Sequence, residues 1–199
     1  MNNLYPNSPR PSRGGEVENY QSTSGIAGDA IPQKKNEDHI RVLLHNCSGI
    51  GAISGTERDK SSYKLTQLKL FALEKKVDLI CLTETNTDWR MVPPRYQLWK
   101  VILPWYQQSR VTVSYNTTIK KNRRVQWGGT AMICANDLCP FEIGKDRSSD
   151  PRKLGRWTSM TFEGKMNTKI TMITAYCSVN NANGLHSAFT QQLVYINKK

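Results

Sequence analysis

VDLICLTETN, residues 77–86, sends five apolar or small residues (Leu79, Ile80, Cys81, Leu82, Thr83) straight into a glutamate, Glu84. A short continuous apolar run bounded by polar residues is the pattern of a buried strand. Its end has two readings. Glu84 is either the first solvated residue after the strand, or a carboxylate that the strand carries to the mouth of a site.

Upstream, IRVLLHN (Ile40–Asn46) is a second short apolar strand, stopping at an asparagine, and SGIGAISGT is a glycine-punctuated loop. Between loop and second strand, Leu65, Leu68, Phe71 (or Ala72) and Leu73 fall at helical spacing over 62–76, with Lys, Gln and Glu between them. Strand, loop, helix and parallel strand make one crossover unit, expected to be right-handed.

Downstream, 85–125 has two adjacent prolines and scattered Trp and Tyr, which predicts loops with one strand near 111–115. Three strand patterns follow: GGTAMICA (128–135), GRWTSMTFEG (155–164) and KITMITAYCSV (169–179), the last two joined by a GKMNT turn. The polar stretch between Ile143 and Leu154 reads as a surface loop, and Phe189, Leu193 and Ile196 read as the face of a last helix. The whole predicts an α/β fold, a layered sandwich of mixed strands with helices packed outside, rather than a doubly wound parallel sheet.

The 199 residues suit one folded domain behind a leader. Residues 1–40 are rich in Asn, Ser, Gly, Pro and Gln, too poor in large apolar side chains to offset the entropy of ordering, and are expected to be disordered. The folded part is then 41–199. No signal peptide and no membrane-length apolar run is present. Five cysteines, odd in number and without CxxC spacing, fit a reduced intracellular setting, the nucleus included, and argue against a zinc site.

The formal net charge is +12. Residues 1–40 hold four Lys/Arg against five Asp/Glu, so the basic excess belongs to the rest. From Trp89 to Asn136 there are eight Lys/Arg, seven aromatics and no acidic residue. Lys and Arg neutralise phosphates while aromatics stack on bases, so nucleic acid is the expected partner. TIKKNRRVQW (118–127), with Lys120, Lys121, Arg123 and Arg124, concentrates this pattern. The competing reading is a solvated basic hairpin tip.

Three polar residues sit at or just past apolar strands: Asn46, Glu84 and Tyr176. Singly, each has an ordinary explanation as turn former, solvated strand exit or packed aromatic. Together they could deliver an amide, a carboxylate and a phenol to one sheet edge. That set suits a hard cation and a phosphate, because Mg2+ takes oxygen ligands.

These stretches resemble a known family. LLHNCSGI, DLICLTETN, WGGTAMIC, LGRWTSMTFEG and ITMITAYCSVNN resemble, in order, motifs of the endonuclease/exonuclease/phosphatase superfamily. The LGRW, TAY and QQLVYI runs look most like the endonuclease domains of non-LTR retrotransposons. The resemblance spans residues 41–199. It implies a DNase I-like fold and Mg2+-dependent (or Mn2+-dependent) phosphodiester hydrolysis of nucleic acid, DNA first. It also implies roles: Glu84 as a direct metal ligand, Asn46 holding the nucleophilic water or the metal shell, and Tyr176 touching the scissile phosphate. Arg156 would lie near the phosphate backbone or brace the site, and Asn180 (or Asn181) would match an asparagine after the tyrosine, one residue further on than usual.

Departures from the family pattern are equally specific. Ser48 stands where an acidic or amide residue is usual, and no Asp or Glu follows Tyr176, so the Gly-Asp-x-Asn and Asp-His motifs are not found. The expectation is the N-terminal portion of such a domain, inactive or weak without its C-terminal half. His39, His45 and His186 are expected to be bystanders. Two other readings stay open: a phosphatase of the same superfamily acting on a small phosphoester, and a non-catalytic basic nucleic-acid-binding protein.

Overall fold

A computed structural model of the chain describes residues 35, 39–50, 58–117, 127–144, 148–151 and 153–177. Every described residue belongs to one compact unit, Gln33–Lys199. The expected leader, but for Lys35, His39 and Ile40, and the expected last helix lie outside the described residues.

The described residues form a layered α/β structure. One sheet has four strands in the order β1 (Val42–Asn46), β2 (Leu79–Thr83), β4 (Thr130–Ala135), β3 (Ser109–Ser114). β1 and β2 are parallel, joined through helix α1 (Arg58–Glu74), and β2–β4 and β4–β3 are antiparallel. The second sheet, β5 (Ser148–Ser149), β6 (Trp157–Glu163), β7 (Lys169–Ala175), is antiparallel. Helix α2 spans Leu98–Ile102.

The pleat explains the layers. Successive residues of a strand face opposite sides, so in β2 Ile80 and Leu82 join a core with Leu65, Leu68 and Ala72 of α1 and Leu98 and Ile102 of α2. Leu79 and Cys81 point the other way, into a second core with Met132, Cys134, Met160 and Phe162. β2 is buried along its whole length, and its sequence is continuously apolar for that reason. Each fully buried leucine or isoleucine there contributes about 1.5–3 kcal/mol.

α1 starts four residues earlier than its spacing predicts, and Leu73 is exposed rather than on the stripe. Leu65, Leu68 and Ala72 define the buried face, and Leu73 lies about 100° past Ala72 around the helix. The helix ends in a Schellman motif: Val77 N donates to Ala72 O at 2.9 Å and Lys76 N to Leu73 O at 3.2 Å. Lys76 occupies the left-handed position (φ 50°) where glycine is commonest.

The second sheet covers β2, β3 and β4 but not β1. Val42 and Leu44 share the face of Leu79 and Cys81, yet Leu44 is 69% exposed. β1 and β7 each end their sheet, and β7 leaves Ile170 and Ile173 exposed. The stretch between Ile143 and Leu154 is more than a surface loop. It contains β5, and Asp150 is buried, its Oδ2 accepting from Leu154 N and Arg156 N. Backbone donors, invisible in the sequence, make that burial tolerable. Among the described residues no helix is long and apolar enough to cross a membrane, and all five cysteines but Cys177 are buried free thiols.

Candidate active site at the ends of strands β1 and β2

β1 and β2 run parallel in register, Asn46 opposite Thr83, so Asn46 and Glu84 leave the sheet at the same end. Asn46 Nδ2 donates to Glu84 Oε1 at 2.9 Å. Asn46 Oδ1 accepts from Ser48 N at 3.0 Å, which fixes the amide so that its NH2 group faces the carboxylate. Asn46 is exposed and Glu84 half-buried, so the pair lies at the surface.

The backbone beneath the pair is unusual. Ser48 (φ 44°), Glu84 (φ 51°) and Asn86 (φ 50°) are all left-handed. An L-residue pays roughly 1–2 kcal/mol for that conformation, and such strain clusters where a site is built. The two chains stay paired through the bend: Cys47 N donates to Thr83 O (2.9 Å), Gly49 N to Glu84 O (2.7 Å) and Ile50 N to Thr85 O (3.0 Å).

Lys64 of α1 completes this corner. Its Nζ donates to the carbonyls of Cys47, Ser48 and Gly49 at 3.0–3.1 Å, using all three ammonium protons. Sequence reasoning missed it, since a lysine beside a helix stripe does not announce which loop it reaches. Burial pushes the neighbouring Cys47 thiol up to about 12, with Lys64 opposing and Glu84 adding to the rise, so it is no nucleophile at neutral pH. His45 is held below the usual histidine range by desolvation and then by Lys64.

On the far side of Glu84 two glycines allow close approach. Thr85 N donates to Gly129 O (3.1 Å), and Asn86 exchanges bonds with Gly128: its N donates to Gly128 O (2.7 Å) and its Oδ1 accepts from Gly128 N (2.8 Å). A Cβ on Gly129 would lie 2.3 Å from Thr85 Oγ1. Gly129 N donates in turn to Gly155 O (3.2 Å), and Tyr176 N donates to Arg156 O (2.7 Å). This chain of bonds runs from Glu84 across to Arg156 and Tyr176, both half-buried, at the same end of the second sheet, so Tyr176 leaves a different sheet from Asn46 and Glu84 rather than the one edge expected of all three. Asn180, Lys120, Lys121, Arg123 and Arg124 lie outside the described residues.

Among the described residues no group of three or more His, Cys, Asp or Glu is placed to hold a metal ion. Glu84 offers carboxylate oxygens, and Asn46 Oδ1 keeps a second lone pair beyond its bond to Ser48. That set fits a hard cation which takes one carboxylate and fills its shell with water and phosphate oxygens. It does not fit zinc, which wants four nitrogen or sulfur ligands in a structural site.

A cavity of about 570 Å³ lies at the opposite end of β2, where Asp78 precedes the strand, and is lined by Lys76, Asp78, Tyr106 and Asp137 among others. Asp78 there is paired with Lys35 and accepts from Arg41 N at 2.7 Å. Those bonds tie the start of the domain to the sheet and place the cavity away from Glu84.

The chain is similar to two solved structures at low identity. One is the 3' phosphatase NExo from Neisseria bound to a product DNA hairpin, at 14% identity and a TM-score of 0.49, with 80% of this chain and 51% of that chain covered. Another is an AP endonuclease from Archaeoglobus fulgidus, at 16% identity and a TM-score of 0.46, with 79% and 49% covered. The chain spans about half the length of these structures. No protein-family model matches the chain, and no curated protein matches it in sequence.

Proposed function

We propose that this chain carries the metal-holding half of a nucleic-acid phosphodiesterase site of the endonuclease/exonuclease/phosphatase kind, with the retrotransposon endonucleases as the nearest pattern. The observation that carries the reading is the Asn46–Glu84 hydrogen bond at the carboxyl ends of two parallel strands, with Glu84 held in a left-handed backbone. Carboxyl ends of parallel strands are where open α/β sheets place ligands, and a left-handed backbone is uncommon for a glutamate.

Glu84 would hold Mg2+ or Mn2+, which when bound supplies positive charge against a phosphoryl oxygen. Asn46 positions the carboxylate and offers its amide oxygen to the same shell. Arg156 and Tyr176, linked to the Glu84 segment through Gly155 and Gly129, would contact the phosphate that the basic charge attracts. The set supplies binding and electrostatic stabilisation, while a general base, worth typically ~10²–10⁴-fold, is not among these residues. Cleavage by this chain alone is therefore expected to be slow.

The test is nicking of supercoiled plasmid with Mg2+ or Mn2+ by the full chain, against Glu84→Gln, alongside direct titration of Mn2+. Metal binding lost in Glu84→Gln, with at most slow nicking, supports the reading; metal binding indifferent to Glu84 overturns it. A second reading, a non-catalytic nucleic-acid binder, is favoured by the net charge of +12. Salt-dependent DNA binding that ignores both metal and Glu84→Gln would select it.

A further inference from the structure

We infer that Trp127 is a stacking platform for an unpaired nucleobase, which makes single-stranded or locally opened nucleic acid the preferred substrate of the Glu84 site. The inference rests on the nucleic-acid reading above; the stacking would hold for either form of it, the substrate preference for the catalytic form alone.

The indole is 76% exposed, the most exposed aromatic among the described residues. A tryptophan left in water contributes nothing to the core, so packing does not account for it. Its backbone, by contrast, is fixed. Trp127 O accepts from Asn116 Nδ2 at 3.4 Å, and the next residue, Gly128, exchanges two hydrogen bonds with Asn86. Asn86 is two residues beyond Glu84, and each of the two has a left-handed backbone. The ring is therefore exposed on a stem that hydrogen bonds tie to the segment carrying Glu84.

Such an arrangement suits a base rather than a backbone. A flat, uncharged π-face offers nothing to a phosphate, whereas every base has a face to stack on it, without sequence preference. In duplex DNA those faces are occupied by neighbouring base pairs, so only an unpaired or displaced base can use the indole. The positive charge of the chain supplies the complementary attraction for the backbone. Trp99 on α2, also exposed and with Lys100 Nζ 4.3 Å from its ring centroid, belongs to a different element and serves as the comparison.

The experiment measures binding of the full chain to a fluorescent single-stranded oligonucleotide and to its duplex, in EDTA at fixed salt, for wild type, Trp127→Ala, Trp127→Phe and Trp99→Ala. Expected is about a ten-fold or greater loss of single-strand affinity in Trp127→Ala, with duplex affinity changed less than about two-fold. Trp127→Phe should keep most of the affinity while losing most of the quenching of tryptophan emission that single-strand binding causes, a readout that a structural role would not move. Thermal melts of the variants should superimpose, because so exposed a side chain buries little. Equal losses on both ligands, or a loss in Trp99→Ala as large as in Trp127→Ala, overturn the inference. Wild-type binding unaffected by Trp127→Ala overturns it and leaves the nucleic-acid reading standing. No binding by wild type overturns both.

Discussion

The Asn46 amide reaches 2.9 Å to Glu84 Oε1 between adjacent parallel strands, although 38 residues separate the two in sequence. Asn46 therefore orients the Glu84 carboxylate, and on the proposed function it is a positioning residue. Partners that orient a metal-holding carboxylate typically account for 10–100-fold in affinity. Asn46→Ala should weaken Mn2+ binding by about ten-fold and Glu84→Gln should abolish it, as read by calorimetry or water proton relaxation. An unchanged affinity in Asn46→Ala would mean that the hydrogen bond has no bearing on metal.

Gly155 has φ +71°, and a Cβ there would sit 2.9 Å from Asn116 N, Gly129 N and Tyr115 C. All three are backbone atoms that cannot swing away. Gly155→Ala is expected to cost at least about 2 kcal/mol, from overpacking added to left-handed strain. Urea denaturation checks it, and a loss below about 0.5 kcal/mol would show that the two loops can separate freely.

Lys76 offers the opposite case. It holds the left-handed position of the Schellman turn that ends α1, with no glycine to relieve it. Lys76→Gly is expected to raise stability by about 0.5–1 kcal/mol, the relief of the Cβ clash exceeding the extra unfolded-state entropy. The same denaturation series measures it, and destabilisation would assign the Lys76 side chain a role of its own.

His45 has its folded pKa lowered by desolvation, then by Lys64. The unfolded chain therefore binds the proton more readily, and stability falls as pH drops below the ordinary histidine value of about 6.5. Between pH 7.5 and 5 the unfolding free energy should decline, and less steeply in His45→Gln. By NMR the His45 midpoint should lie below that of a model peptide and rise in Lys64→Gln. A midpoint at or above the peptide value would show that neither cause acts.

Much of this was legible in the residues because burial leaves a signature. β2 is apolar throughout since both faces are covered, and β1, β4, β6 and β7 lie within the runs that their composition marked. Asn46 and Glu84 could be paired in advance because a parallel register puts the ends of β1 and β2 together. What stayed hidden depends on tertiary neighbours. α2 has five residues, too few to show a helical period, and follows two prolines. Lys64 and Asp150 read as ordinary surface charges, and only folding shows the carbonyls that one caps and the amides that the other accepts.

Two of the four sheet margins among the described residues, β1 with Val42 and Leu44 outward and β7 with Ile170 and Ile173, also bear on the behaviour of the protein in solution. Open strands with apolar side chains invite copies of one chain to add to each other edge to edge. A net charge of +12 opposes that encounter, and dissolved salt weakens the opposition. The colloidal response should thus run against the binding response: added salt loosens polyanions while it promotes clustering. Dilute, low-salt buffer is where separate copies of the chain, and the nucleic-acid binding proposed for it, are expected to be best kept.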